Sequence, residues 1–262
     1  MSDLGLVALQ ARYSLLALFR TPRAVIFGVV FPPILVVIFN SIFTSSGGSD
    51  TTHFAGTSLD TESYFTAGIM AYAITLTSFS TLAITLTSQR ESGQLKRYRG
   101  TPVPAWTFIA ALVLRSIALT CLTVAATYAA GAAYGASISG EGLVGLVVYA
   151  VLGTATMCAL GIALTAVTPT AEAASAIAPF SAVLLSFISG VFVPIDQIGS
   201  TLADVGRLFP LSHLAEGLQQ SFAASGSTGL DAGNVAALAG WMLAAVVVAA
   251  RRFRWEPQAA RG

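Results

Sequence analysis

Charge is what this chain lacks. Of its 262 residues only 10% are Asp, Glu, Lys or Arg, and 55% are hydrophobic, whereas a typical soluble domain carries about 25% charged residues. So few charges cannot cover a globule of this size, which leaves the lipid bilayer as solvent. The formal net charge of +1 leaves no basic excess for phosphates and excludes nucleic acid as a partner. Cysteine is scarce too. Cys121 and Cys158 both fall inside apolar runs and read as small packing residues, not as a disulfide or a metal pair. His53 and His213 are isolated, with no H-E-x-x-H, no paired acids and no Cys–His set. That argues against an intramembrane enzyme, and no metal site is expected. The sequence has no G-x-x-x-x-G-K-[ST] and no extra-membrane segment long enough to hold a nucleotide-binding domain. No cleavable leader is expected, because the first apolar run lacks a small-residue cleavage site.

What is present is apolar and helical. A helix needs about 20 apolar residues to cross roughly 30 Å of hydrocarbon. Six stretches meet that length: 24–43, 64–87, 115–136, 143–167, 173–193 and 230–250. The expected fold is an all-α membrane protein, one domain over 1–262, with no internal repeat. Basic residues set the expected orientation. Arg12, Arg20 and Arg23 precede the first span, and Arg90, Lys96, Arg97 and Arg99 lie between the second and third. Arg251, Arg252, Arg254 and Arg261 follow the sixth. With an even number of spans these share one side, the cytoplasm, and only Arg207 lies opposite. Eight acids, Asp50, Asp60, Glu62, Glu141, Asp196, Asp204, Glu216 and Asp231, sort to the other face. The expected topology is N-in, C-in.

Two segments are neither spans nor plain loops. Residues 4–19 place Leu4, Val7, Ala8, Ala11, Leu15 and Leu18 on one helical face, with Gln10 and Arg12 off it. That pattern predicts an amphipathic helix in the cytoplasmic interface, ended near Thr21-Pro22. In 194–229, Ile198, Leu202, Val205 and Phe209 form one stripe. Pro210 breaks it, and Leu211, Leu214, Leu218 and Phe222 form another. Two short helices dipping into the outer leaflet satisfy both stripes, and so do two surface helices on the ends of the bundle.

The segment 89–104, QRESGQLKRYRGTPVP, follows the second span directly. On one helix, Glu91, Leu95 and Tyr98 would share a face at i, i+4, i+7, and Arg90, Gln94 and Arg97 another. Gly93 keeps the surface low, and Gly100-Thr101-Pro102 ends the helix. An acid and an aromatic among bases fit a handle for another protein. A loop whose arginines only hold topology and touch anionic lipid fits the same composition. Along the second span, Thr77, Ser78, Thr81, Thr85 and Ser88 make a polar stripe with Phe79 beside it. The stripe reads either as a substrate-facing wall or as a packing seam. No Asp, Glu, Lys or His sits mid-span, and Glu172, Asp231 and Arg115 are expected near span ends. That argues against an ion-coupled secondary carrier, which needs a buried titratable group.

The stretch RESGQLKRYRGTPVP (90–104) resembles the cytoplasmic signature of ABC-2 type transporter permeases. YFTAGIMAYAI (64–74) resembles that family's second span, and FPP (31–33) its Pro-bearing first span. ISGVFVPI (188–195) with FPLSHLAEGLQQ (209–220) is similar to its fifth span and returning outer loop. The likeness is strongest to the drug- and lipid-exporting branch. Gln94 departs from the small residue or Thr common there, and the usual Leu-Pro after the fifth span is absent. The resemblance implies a multi-pass protein of the plasma membrane, the inner membrane in bacteria. It also implies no cofactor in this chain, with ATP and Mg on a separate cytoplasmic ATPase, and a second permease chain completing a homodimer. Glu91, Gly93, Leu95, Tyr98, Thr101 and Pro102 would form the coupling helix seated on that ATPase. Glu91 would pair with a basic residue, and Leu95 and Tyr98 would fill an apolar groove. Helix 4–19 would be the connecting helix. Thr77, Ser78, Phe79 and Thr81 would line the substrate path. The cargo would be an amphipathic drug or lipid, with lipid-linked glycans as the alternative.

Overall fold

The computed structural model describes residues 3–20, 25–44, 51–54, 57–101, 103–193 and 199–253. Apolar helices dominate it. α1 (Asp3–Phe19) is followed by α2, a π-helical turn Ile26–Val30 running into an α-helix Phe31–Thr44. α3 (Thr61–Glu91) contains a second π-helical turn, Leu76–Ser80. After it come α4 (Gln94–Arg99), α5 (Ala105–Ala132), α6 (Gly142–Leu164) and α7 (Ala171–Ile188). The last described elements are α8 (Ser200–Gly206), α9 (Pro210–Ala223) and α10 (Ala232–Arg252). Among the described residues, α3, α5, α6, α7 and α10 are long and apolar enough to cross a membrane, and Gly28–Phe43 is a shorter apolar helix. A hairpin absent from the all-helical expectation, β1 (Thr51–Phe54) with β2 (Thr57–Asp60), leads into α3, pairing Thr51 with Asp60.

α3 is the hub of the bundle. From Ser63 to Thr75 every residue is buried, against α2, α5, α6 and α9. A helix buried on all sides needs small residues where backbones approach. Gly68 is one such point, because a β-carbon there would sit 2.6 Å from the Val191 carbonyl oxygen. Gly68→Val should therefore destabilise the fold by about 1–3 kcal/mol. A drop in Tm in detergent checks this, and an unchanged Tm would mean the approach is looser than described.

The third span departs from its expected bounds. Apolar periodicity runs without a break from Ala105, so α5 starts ten residues before Arg115. Arg115 is thus not at a span end: it is 5% exposed, on the buried seam of α5 and beside buried Cys158. A basic residue looks like a span boundary in sequence, but one arginine does not end a helix whose neighbouring residues are helix-compatible and mostly apolar.

In the hairpin of two short helices after α7, α9 is packed within the bundle, while α8 is largely exposed. The stripe Leu211, Leu214, Leu218 and Phe222 of α9 is buried. Gly217 lies under the Tyr149 ring and Leu214 against Gly153, so α9 runs antiparallel to α6. Gly153 is the twelfth of the 23 residues of α6. At the tip, the Leu208 carbonyl accepts the Trp241 indole N–H at 3.1 Å, and Trp241 is the tenth of 21 residues in α10. The tip therefore lies beside the middle of α10, with the exposed Asp204–Arg207 pair next to it. At the hairpin's other end, Gly190 has a φ of 73°, a conformation glycine adopts freely. Its carbonyl accepts from the Tyr64 hydroxyl at 2.6 Å and from Gln219 Nε2 at 3.2 Å.

Polar groups gather where α9 meets α10. Asp231 caps α10 by accepting the Asn234 N–H at 2.8 Å, and Asn234 Oδ1 lies 2.9 Å from His213 Nδ1. Burial lifts the Glu216 carboxyl above its ordinary value near 4.5, opposed by His213. A raised carboxyl pKa means the native state binds the proton more tightly than the unfolded chain. That stability is present below pH 4.5 and is lost as pH rises through the elevated value. Glu216→Gln should flatten this decline in a Tm-versus-pH series, and an unchanged slope would assign the decline to other groups.

Candidate functional site

The end of the bundle that carries α4 is its basic end. Arg12, Arg20, Lys96, Arg97, Arg99, Arg251 and Arg252 are exposed there. The segment after α3 is not one continuous helix. Gly93 takes a φ of 71°, so α3 stops at Glu91 and α4 begins anew at Gln94. The break separates residues that a single helix would have aligned. Glu91 is exposed, whereas Leu95 is 1% exposed and turned into the protein. The i, i+4, i+7 face holds only if the helix is unbroken, and a left-handed glycine rotates one half against the other.

α4 is fastened from behind. Leu95 joins Leu82, Leu86, Leu112 and Ile162 in an apolar cluster. Tyr98 packs on Phe108, with ring centroids 4.9 Å apart. Its hydroxyl accepts from Gln10 Nε2 at 2.9 Å and lies 3.3 Å from Thr107 Oγ1. Tyr98 thus ties α1, α4 and α5 together. Gln10 therefore faces the bundle and not away from it, as the stripe of α1 had suggested. α1 is apolar on more than one side: Val7 and Ala11 pack on Ala111, while Leu9, Tyr13 and Leu16 are exposed. The Thr101 hydroxyl donates to the Tyr98 carbonyl at 2.7 Å and closes the last turn of α4. Pro102 lies outside the described residues.

The sequence pattern places Arg90 on one face with Gln94 and Arg97. In the structure it is instead 1% exposed, the largest fully buried side chain among the described residues. Its guanidinium donates to the Thr165, Thr168 and Pro169 carbonyls at 2.7, 2.6 and 3.0 Å. These carbonyls sit just past the C-terminus of α6, where helix carbonyls have no intrahelical partner. An arginine fork satisfies several at once and suits the negative end of the helix dipole. Arg90 so bolts the end of α3 to the connection between α6 and α7. A clue in the sequence was its place, in the last turn of a span where a charge can be drawn inward.

The polar stripe of α3 divides. Thr77 and Ser78 are buried, at 1% and 0% exposure, while Phe79 and Thr81 are partly exposed. The Thr77 hydroxyl bonds back to the Ala73 carbonyl at 2.9 Å. Ser78 Oγ lies 3.4 Å from Thr120 Oγ1, which accepts from Thr154 Oγ1 at 3.0 Å. Thr81 Oγ1 donates to the Leu76 carbonyl at 3.1 Å, five residues back across the π turn. The π turn of α2 lies alongside: the Gly28 carbonyl accepts from Thr123 at 3.3 Å, and a β-carbon on Gly28 would be 3.6 Å from Thr77. The two π turns thus lie at one level, and π turns are frequent at functional sites. Ser78→Trp should overpack this junction and reduce folded yield. Thr81→Trp, on a half-open position, should leave yield intact. Size-exclusion profiles of both variants check this, and equal yields would mean Ser78 borders open space.

Among the described residues no group of three or more His, Cys, Asp or Glu could hold a metal ion. No curated protein matches the chain. The profile of the family described as ABC-2 type transporter matches residues 6–223, which takes in most of α1, the segment carrying Glu91 and Arg90, and the helices α8 and α9. Such permease domains typically lack an ATPase domain and imply a partner that supplies one. The chain belongs to the ABC-2 type transporter family, as a multi-pass membrane permease subunit.

Proposed function

We propose that this permease is the membrane half of an ATP-driven exporter, oriented N-in and C-in in a bacterial inner membrane. In this reading it pairs with a second copy of itself and moves an amphipathic drug or lipid-like cargo outward. One observation carries the reading: at the basic end of an ABC-2 permease, an exposed acid is held on a rigid, internally anchored turn. Exposed basic residues concentrate at that end, which fits the cytoplasmic side. ATP and Mg belong to the partner ATPase. Its contact surface on this chain is the outer side of 91–101, with Glu91 pairing a basic residue and Gln94, Lys96 and Arg97 around it. Leu95 and Tyr98 act from behind, as anchors that pass the movement of this surface into α3, α5 and α1. A signal of this kind requires contacts that differ between states of the partner. At the π turn, Phe79 and Thr81 are partly exposed and are the positions that would meet cargo at a shared dimer face. An uncharged lining suits amphiphiles over ions.

The test has two parts. In sealed cells, Ser225→Cys should react with a membrane-impermeant thiol reagent and Ser92→Cys should not; labelling at Ser92 would invert the orientation. In proteoliposomes containing the permease and its ATPase, efflux should require ATP and persist with a protonophore. Efflux that stops with the protonophore at constant ATP would establish an ion-coupled carrier instead.

A further inference from the structure

Among the described residues two arginines are buried, Arg90 and Arg115, and only one of them is satisfied. Arg90 gives its guanidinium to three carbonyls. Arg115, 5% exposed, makes no side-chain hydrogen bond and no ion pair among the described residues. It stands in α5 roughly 15 Å along the helix from Ala105, at 1.5 Å per residue. Acids on the described spans stand only near their ends, at Glu62, Glu91 and Glu172. Helices α5, α6 and α10 contain none. A second copy of the chain brings the same sequence, and so no mid-span acid either. A cation withdrawn from water needs a counter-charge or hydrogen bonds in place of its hydration, and this chain supplies neither.

What surrounds Arg115 is a set of small polar groups. The Cys158 thiol lies beside it, and Ser78 of α3 and Ser116 of α5 close on the same thiol. Ser116 Oγ is buried and meets no hydrogen-bond partner in good geometry. Ser78 Oγ has a long contact of 3.4 Å to Thr120 Oγ1, at the weak end of hydrogen bonding. Arg90 Nε is a fully enclosed atom without a partner, whereas no guanidinium nitrogen of Arg115 is sealed in that way. These nitrogens stay within reach of a group the size of water or a halide.

We propose that Arg115, Ser116 and Ser78 bind one small inorganic monoanion, chloride in size, as the counter-ion of the buried arginine. A positive charge with two under-used hydroxyl donors and no carboxylate selects an anion. Enclosure selects its size, because a side chain only 5% exposed leaves no room for a headgroup. The ion neutralises the seam where α3, α5 and α6 meet, and its binding does not depend on the cargo or on the ATPase.

Equilibrium dialysis of the detergent-purified permease against radioactive chloride, in gluconate buffer of fixed ionic strength, reads the site directly. Binding should saturate at one ion per chain. Ser116→Ala removes a hydroxyl that holds nothing else in place, and should weaken chloride about threefold. Arg115→Met should weaken it about tenfold or more. The Tm of the unaltered protein should rise as chloride replaces gluconate, and that of Arg115→Met should not. In gluconate alone Arg115→Met should match or exceed the unaltered protein in Tm, because an apolar side chain needs no counter-ion. Absence of saturable binding would overturn the proposal, and so would unchanged affinity in both variants. A lower Tm or failed folding of Arg115→Met in gluconate would overturn it too, since the arginine would then be satisfied from within the chain.

Discussion

Replacing Arg90 by Met should cost the protein roughly 3 kcal/mol or more of stability, because hydrogen bonds from a charged donor are worth about 1.5–3 kcal/mol each. The guanidinium makes three such bonds, and two of the carbonyls it leaves, those of Thr165 and Thr168, are buried just past the end of α6. Arg90→Lys keeps the charge but offers one compact ammonium where a planar fork had reached three acceptors, so it should recover only part of the loss. The functional consequence follows from what the bolt joins. α3 continues into the Glu91 surface, and α6 and α7 meet at the Thr165–Pro169 carbonyls, so one contact moves three spans together. With Arg90→Met at matched membrane levels, ATPase association should survive and efflux should fall about tenfold or more. Tm, co-purification and efflux measured on the same preparations decide it. If Arg90→Met matches Arg99→Gln in all three, Arg90 has no part in transmission.

Glu91→Lys should have the opposite signature: normal stability and lost association. Glu91 is exposed in the isolated chain, and an exposed ion pair is worth about 0–1 kcal/mol. Buried in an interface, the same charge costs roughly 2–5 kcal/mol when its partner is left unpaired. Reversal adds repulsion beside Lys96 and Arg97. Association should therefore weaken by at least about thirtyfold, the equivalent of roughly 2 kcal/mol. Efflux should vanish while permease abundance in the membrane stays constant. Arg99→Gln, also exposed, should change little. Normal efflux from Glu91→Lys would return the segment to the status of a topology signal.

The pair separates two duties that a linear motif blurs. Neighbours in sequence, Arg90 and Glu91 point to opposite environments, one to the helix end beneath it and one to solvent. Their substitution phenotypes should differ for that reason: one disturbs the permease from within, the other disturbs only its meeting with a partner.

Composition and spacing alone determined the class of this protein. A scarcity of charge dictates a lipid solvent, and apolar runs of about 20 residues dictate helices, since only helices satisfy their backbone within a single segment in lipid. The hairpin was half legible, because the two stripes around Pro210 mark two short helices but not what they pack on. Its seat against α6 and α10 was decided by the tertiary contacts of Leu214 with Gly153 and of Leu208 with Trp241. Tertiary structure also decided the inward turn of Leu95 and Gln10, the burial of Arg115, and the seat of Arg90. In each case a single residue's direction depended on a glycine's φ, on where a helix truly begins, or on unpaired carbonyls more than 70 positions away. Periodicity reads the average environment of a face. The fate of one polar side chain depends on whether a distant backbone presents the partner it needs, and only the folded chain brings the two together.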